Sequence, residues 1–399
     1  MSAPARILLC HDYYVQPGGE NTVFDTQVRG LRERGHTVTV YTRHNDEIAG
    51  MGPLARASLL VEAHDSRRTR REITALVEKD RSEVAIVQNV FPLISPSVYD
   101  VLQRRGIRVL QAVYNYRLVS PAGELFSRGE ICERSLGGNY LHCVARRCYR
   151  GSAVMSAWYA SILGLHRRRR TFARLIDCFL VPDAFMANKL SEGGLPAERM
   201  QPIVSPFFVR EHAPSETHDG YVAFVGRLVA HKGVRTLIEA ARLAGPNCRV
   251  VLVGTGELEG EVRARIARDG LDGRVRLLGP RWGDELRTIV RGAAAVAIPS
   301  EWYDNLPLVL CQANASGKPV LASRINGIPE YVHDGENGFL FEPGDARGLA
   351  RLMDRIVGMP SAEYAAIARS SRTFAERSLD FDAHYATLSA AISRLRATA

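Results

Sequence analysis

Short apolar runs alternate with amphipathic stretches along most of the chain. Residues 6–10 form the first apolar run. Residues 20–34 place Phe24, Val28 and Leu31 on one helical side before Gly35 closes the helix. Residues 37–42 alternate as a strand, and 84–88, 108–113, 178–181 and 201–204 predict four more. Residues 96–105 read as a helix stopped by Gly106. The cadence restarts after residue 210. Strands are expected over 221–226, 249–254, 275–279, 295–299, 319–323 and 338–341, with helices over 234–243, 258–268, 284–293 and near 308–316.

Alternation of this kind implies parallel sheets covered by helices, so the fold class is α/β. Two series joined near residues 212–219 imply two Rossmann-like domains facing one another across a deep cleft. The first domain is expected over residues 1–210 and the second over 211–375. A C-terminal helix over 376–399 is expected to pack back on the first domain.

A length of 399 residues suits two such domains, and 46% hydrophobic with 24% charged residues suits a folded protein. No apolar run reaches the roughly 18 residues that span a bilayer. The nearest, 151–165, is interrupted by Ser156, Tyr159 and Ser161. Residues 1–10 lack a charged start followed by a long apolar stretch, so export is not expected. Seven cysteines spread along the chain do not resemble a disulfide framework. The expected location is cytoplasmic, with a peripheral position at the inner face of the plasma membrane as an extension of it.

Charge is distributed unevenly. Residues 1–200 hold 28 Lys and Arg against 20 Asp and Glu, whereas the remainder is nearly balanced at 24 against 23. Residues 104–174 carry 14 arginines against Glu124, Glu130 and Glu133, ending in His166-Arg167-Arg168-Arg169-Arg170. That concentration suits a phosphate-rich partner, an anionic membrane surface or nucleic acid, and a solvated face is the plain alternative. No recognised nucleic-acid module is present and aromatics are 8%, so no nucleic-acid partner is expected.

Two α/β domains leave many functions open. Gly254-Thr255-Gly256 follows a predicted strand, but Glu259 occupies the third glycine position of a dinucleotide fingerprint. No Gly-x-x-x-x-Gly-Lys-Ser/Thr occurs, which disfavours a P-loop ATPase. Between the first strand and its helix, Pro17-Gly18-Gly19-Glu20 lets backbone N–H groups approach an anion at a helix N-terminus. Gly226-Arg227-Leu228-Val229-Ala230-His231-Lys232-Gly233 sets two cations at the equivalent place in the second half. Arginine clamps two phosphate oxygens and lysine supplies a point charge, as a departing nucleoside diphosphate requires. From Pro299 to Pro307 the chain enters the helix bearing Gln312, where the N–H groups of Asn305 and Leu306 are expected to meet a phosphate or hydroxyl. Asp304 and Gln312 lie just over two helical turns apart.

These segments resemble the nucleotide-sugar domain of the family-4 retaining glycosyltransferases, which have the GT-B fold. The matching runs are Gly226-Arg227-Leu228 with Lys232-Gly233, Val253-Gly254-Thr255-Gly256, Arg276-Leu277-Leu278-Gly279 and Pro299 to Pro307. Ala315-Ser316-Gly317-Lys318-Pro319-Val320, Gly327-Ile328-Pro329-Glu330 and Asp334-Gly335-Glu336-Asn337-Gly338 continue the match. The first half matches through Gly18-Gly19-Glu20 and Arg34-Gly35-His36-Thr37-Val38. The resemblance implies sugar transfer from a UDP- or GDP-linked donor, with retained configuration, to a glycan, lipid-linked or small-molecule acceptor. It implies Arg227, Lys232 and Asp304 as catalytic residues, with Gly18, Gly19, Gly226, Gly254, Gly256, Asn305, Leu306 and Gln312 on the donor. Tyr114, Asn115 and Arg117 fall on the acceptor side. No cofactor or metal is implied, because the two cations take the metal's place.

The chain departs from the family pattern at three places. Asp304 and Gln312 stand where the family has a Glu-x7-Glu pair, Tyr114-Asn115-Tyr116-Arg117 where it often has His-Asn-Tyr-Arg, and Gln88-Asn89 where His-Asn is common. The competing reading is therefore a catalytically impaired sugar-nucleotide-binding homologue acting through partners. Cys132, His142, Cys143 and Cys148 suggest zinc, but no paired Cys-x-x-Cys knuckle occurs and structural thiols are the expectation. Residues 120–150 are expected to shape the acceptor side.

Overall fold

Val84–Val87 is apolar and buried at all four positions, the pattern of a strand covered on both faces. It sits inside the first of two six-stranded sheets in the computed structural model, which describes residues 4–15 and 18–397. That sheet contains β1 (Arg6–Tyr13), β2 (Thr37–His44), β3 (Val84–Val87), β4 (Arg108–Ala112), β5 (Cys178–Val181) and β6 (Met200–Pro202). All pairings are parallel and the order is β2-β1-β3-β4-β5-β6. The second sheet contains β7 (Tyr221–Val225), β8 (Arg249–Val253), β9 (Val275–Gly279), β10 (Ala295–Ile298), β11 (Val320–Ser323) and β12 (Gly338–Phe341). Its order is β9-β8-β7-β10-β11-β12, again parallel throughout. These are two Rossmann-like halves. In each, strand order reverses beside the first strand, between β1 and β3 and between β7 and β10. Ligands of open α/β sheets bind outside the carboxyl ends of the strands at such reversals.

The chain divides into two units. One holds the chain up to Arg128, Cys132–Pro206 and everything from Phe381; the other holds Gly129–Ile131 and Phe207–Asp380. The boundaries differ by a few residues from the expected 210 and 375. The reason lies in a set of bonds within the second unit. The Val209 N–H donates to Asp380 Oδ2 at 2.9 Å, and Arg372 Nη1 donates to the carbonyls of His212 and Ala315 at 2.6 and 2.5 Å. They tie residues 207–212 and 372–380 into that unit, so the last helix begins at Phe381 and not at 376. This helix, Phe381–Ala397, buries Leu388, Ala391 and Ile392 in the core with Ile7, Leu9 and Phe24. Leu388 and Ile392 each contribute about 1.5–3 kcal/mol by leaving water. Gly30 lets it approach, since a Cβ there would fall 2.0 Å from the Phe381 ring.

The helices that escape the periodicity reading include Pro53–Glu62, Arg67–Asp80, Leu141–Ala145, Thr171–Leu175, Ala184–Glu192, Ala346–Val357 and Ser361–Phe374. Arg67–Asp80 is strongly charged and buries only Thr69, Ile73 and Val77, a stripe one residue wide at spacing four. The apolar stretch 151–165 lies in the helix Ala153–Arg168, which buries Ser156, Tyr159, Ile162, Leu163 and His166. The run 166–170 does not act as one basic face. His166 is buried between Thr171 Oγ1 at 2.9 Å and the His64 carbonyl at 3.0 Å, and burial lowers its pKa to about 4. Arg167 donates to the Gly193 carbonyl at 2.7 Å. Arg168, Arg169 and Arg170 are exposed and make no ion pair among the described residues. Among the described residues no helix is long and apolar enough to cross a membrane.

Candidate active site

After β7 the chain runs through residues 226–233 and is strapped to the turn after β8. Gly226 N–H donates to the Val253 carbonyl at 3.0 Å, Leu228 N–H to that of Thr255 at 2.9 Å, and Leu258 N–H to that of Leu228 at 2.9 Å. The backbones cross so closely that a Cβ at Gly254 would lie 1.9 Å from the Gly226 oxygen, and one at Gly256 2.4 Å from the Leu228 oxygen. The glycine pattern therefore has a packing cause. Gly233 does the same toward β10. It has φ +69°, and a Cβ would fall 1.6 Å from the Pro299 carbonyl.

This contact brings the loop after β7 onto the loop after β10. Glu301 N–H donates to the His231 carbonyl at 2.9 Å, and the His231 and Trp302 rings lie 4.6 Å apart. Lys232 Nζ then reaches Asp304 Oδ2 at 2.6 Å and sits 5.3 Å from the centre of the Trp302 ring. Ser300 Oγ donates to the same carboxylate oxygen at 2.7 Å, and Asn326 Nδ2 donates to the Asp304 carbonyl. Asp304 is buried and Lys232 half-buried. A charge pair with that geometry is strong, and removing either partner leaves the other charge poorly solvated. Arg227 is exposed beside it, with Nη2 3.4 Å from His231 Nε2. Arg227, Lys232 and Asp304 thus gather at the strand-order reversal of the second sheet.

Two expected positions differ. The helix after this loop is Leu308–Ala315, with Pro307 as its N-cap. Asn305 and Leu306 therefore precede the helix and do not supply its first-turn N–H groups, because the proline sets where helical geometry begins. Gln312 lies half-buried on that helix with no side-chain hydrogen bond among the described residues.

The first unit gathers a second cluster at the end of β1 and β4. Pro17 lies outside the described residues. Gly18 caps the helix Gly19–Glu33, whose first turn carries Glu20. Glu20 Oε1 accepts from Asn115 Nδ2 at 2.9 Å and Oε2 from the Tyr14 hydroxyl at 3.0 Å. Arg117 Nη1 donates to the Tyr14 oxygen at 2.9 Å with its guanidinium 5.0 Å from that ring's centre, and Asn115 Oδ1 accepts the Arg117 N–H at 3.0 Å. Glu20, Gln88, Asn89, Tyr114, Asn115 and Arg117 line one small cavity. Burial holds the Tyr114 phenol well above its ordinary pKa, so it donates hydrogen bonds and does not act as a base near neutrality. Gln88 Nε2 donates to Gln27 Oε1 at 2.9 Å, and Gln88 Oε1 is buried without a hydrogen-bond partner among the described residues.

Local sequence named Arg227, Lys232, Asp304, Tyr114, Asn115 and Arg117, but not Tyr14, Ser300, His231, Trp302 or Asn326. Ser300, His231 and Trp302 lie inside the motifs already singled out, whereas nothing local marks Asn326. Elsewhere, Cys132 Sγ lies 3.5 Å from His142 Nε2, and Cys148 Sγ lies 3.5 Å from Ser127 Oγ. Among the described residues no group of three or more His, Cys, Asp or Glu side chains is arranged to hold a metal ion.

Residues 208–373 match the glycosyl transferases group 1 family, and residues 18–204 match the glycosyl transferase 4-like domain. The chain belongs to the group 1 glycosyltransferases. The lipopolysaccharide core biosynthesis glycosyltransferase LpsE of Rhizobium meliloti is 33% identical over 211 residues, 50% of this chain and 60% of that protein. A D-inositol 3-phosphate glycosyltransferase of Corynebacterium efficiens is 37% identical over 153 residues, 34% of this chain and 35% of that protein. The match to both relatives thus stays below two thirds of their length. Anabaena HepE, solved in complex with UDP, superposes with a TM-score of 0.69 at 18% identity, covering 98% of this chain and 100% of that one. The glycosyltransferase halves described above therefore have the GT-B fold.

Proposed function

We propose that this group 1 glycosyltransferase transfers a sugar from a UDP- or GDP-linked donor with retained anomeric configuration. The observation that carries the reading is the meeting of Lys232 and Asp304, beside Arg227, at the strand-order reversal of the second sheet. Arg227 and Lys232 hold the diphosphate, and their charge acts most strongly as negative charge accumulates on the leaving oxygens. Asp304 receives hydroxyls of the sugar, and Gln312 bonds the ribose. Gly226, Gly254, Gly256, Asn305 and Leu306 belong to the same donor site, while Gly18 and Gly19 offer a phosphate the start of the helix Gly19–Glu33. The leaving diphosphate assists deprotonation of the acceptor on the same face. The two cations make a metal unnecessary.

Tyr114, Asn115 and Arg117 serve the acceptor. The acceptor is a lipid-linked glycan in an anionic setting, which the arginine surplus of the first half supports. The name of the LpsE relative points the same way. The protein acts in the cytoplasm, at the inner face of the plasma membrane. HepE's UDP complex makes UDP the first nucleotide to try.

Calorimetric titration with a panel of UDP- and GDP-sugars, followed by a donor-hydrolysis assay, tests the reading. Arg227→Ala and Lys232→Ala are each expected to lower turnover far more than folding stability. Activity within about twofold of the parent for both would sink the assignment. Nuclear magnetic resonance of the product anomer tests retention. One observation favours a catalytically impaired binder instead: Asp304 is already engaged by Lys232 and Ser300. Tight donor binding without turnover would select that alternative.

A further inference from the structure

The helix Pro53–Glu62 buries none of its ten residues. Leu54 is 89% exposed and Val61 73% exposed. Ten-residue helices are marginal alone, and packing of an apolar face is the usual source of their stability. Here the apolar face looks outward. The helix is held by backbone acceptors: Trp158 Nε1 donates to the Leu60 carbonyl at 2.7 Å, and Arg56 Nη2 to that of Ala49 at 2.9 Å. His64 Nε2, just beyond its end, lies 2.8 Å from Ser161 Oγ. It therefore adjoins the helix Ala153–Arg168, on which Val154, one turn before Trp158, is 77% exposed.

Exposed cations flank this apolar pair of helices, and the nearby acid Asp65 is paired with Arg70. Ala153–Arg168 contains no Asp or Glu, and Pro53–Glu62 contains only Glu62. Arg67 and Arg71, one turn apart, follow at the start of the helix Arg67–Asp80, both exposed and without an ion pair among the described residues. Arg168, Arg169 and Arg170 close the other helix. A second copy of the chain is a poor occupant, since a two-fold contact would set these arginines against themselves. An anionic bilayer satisfies both features. Its acyl boundary takes the leucine and valine side chains, and its headgroups take the guanidinium groups.

We propose that the first unit docks on an anionic membrane through the helices Pro53–Glu62 and Ala153–Arg168. This rests on the membrane-peripheral reading above and names the surface that reading requires. Interfacial attraction of about fivefold per arginine predicts roughly 100-fold weaker binding when Arg168, Arg169 and Arg170 become Gln. Leu54→Asp with Val61→Asp is expected to weaken binding at least about tenfold. Its thermal midpoint should stay unchanged, since neither side chain is buried.

Co-sedimentation of the full chain with phosphatidylglycerol–phosphatidylcholine vesicles, against pure phosphatidylcholine, reads these effects. Donor hydrolysis is followed in parallel. Leu54→Trp adds a second readout that does not depend on a disruptive change: its fluorescence should be quenched by lipids brominated near the headgroup. Wild type bound and the aspartate variant bound equally would overturn this surface while leaving membrane attachment standing. Wild type unbound at low salt, with hydrolysis intact, would overturn both docking and attachment but not sugar transfer. Self-association abolished by the aspartate pair, without lipid binding, would assign the face to a protein contact and overturn the proposal.

Discussion

Lys232 and Asp304, 72 residues apart in the chain, meet at 2.6 Å where the loops after β7 and β10 touch. The lysine assigned to the diphosphate is thus neutralised by the carboxylate assigned to the sugar. A phosphate arriving at Lys232 competes with that carboxylate.

Asp304→Asn should release the lysine. UDP alone is expected to bind about threefold to tenfold more tightly, while sugar transfer falls at least about tenfold. The variant should also melt lower without ligand, because a half-buried ammonium loses its partner. Calorimetry and thermal melts with and without UDP check this. Unchanged UDP affinity would show that the pair is not in competition with phosphate.

Gln312 offers an open position on the helix Leu308–Ala315. A carboxylate there would add charge assistance to a ribose hydroxyl of about 1 kcal/mol, or roughly fivefold in donor affinity. Gln312→Glu should therefore tighten donor binding or leave it unchanged. A marked loss in the same titration would place the ribose elsewhere.

Gly233 should tolerate no side chain. Gly233→Ala combines a left-handed backbone with a Cβ 1.6 Å from the Pro299 oxygen, which must move. The expected destabilisation is about 2–4 kcal/mol by urea unfolding. Donor binding should suffer as well, because the loop carrying Lys232 shifts away from Asp304. Near-normal stability would show that the two loops separate easily.

His384 reports on acid stability. Its Nδ1–H donates to the Val204 carbonyl at 2.7 Å, its Nε2 lies 3.1 Å from Gln27 Nε2, and burial lowers its pKa to about 4. The unfolded chain binds this proton from about pH 6.5 downward, whereas the folded chain resists it until about pH 4. Stability therefore falls as pH drops through that window, by up to about 3 kcal/mol from this one group. His384→Gln should be less stable than the parent at pH 7.5, and the gap should narrow by pH 5. Parallel pH slopes for the two proteins would contradict the buried neutral imidazole.

Asp12 behaves in the opposite sense. Burial raises its pKa to about 8, its Oδ2 accepts the Leu93 N–H at 2.9 Å, and its Oδ1 has no partner among the described residues. The folded chain therefore holds a proton that the unfolded chain releases near pH 4, and this contribution is lost as pH rises toward 8. Asp12→Asn should lose less stability than the parent between pH 6 and 9. Equal losses in denaturant titrations would show an ionised Asp12.

Much of this architecture follows from local pattern. Strands such as Val84–Val87 and Ala295–Ile298 are short, wholly apolar and bounded by turns, so they mark themselves wherever they occur. Helices with wide apolar faces and closing glycines do likewise. Arg67–Asp80 was hidden because charge dominates it and a one-residue buried stripe is enough to seat it. Pro53–Glu62 was hidden for the opposite reason, having no buried face to impose a period.

The chain's own sequence determined two α/β halves, the two cations after β7, the acidic loop after β10 and the family they resemble. Each is a property of neighbouring residues, readable from spacing and from the backbone needs of glycine and proline. Tertiary structure alone decided that Lys232 is spent on Asp304, that Glu20 ties Tyr14 to Asn115, and that the final helix belongs to the first unit. It also decided that His166 turns inward and Arg167 is tied to the Gly193 carbonyl, while Leu54 and Val61 turn out. Those relations depend on crossovers between strands far apart in the chain, and on which face each helix finds covered. Periodicity sets the shape of an element, but its partner is chosen by the packing of the whole.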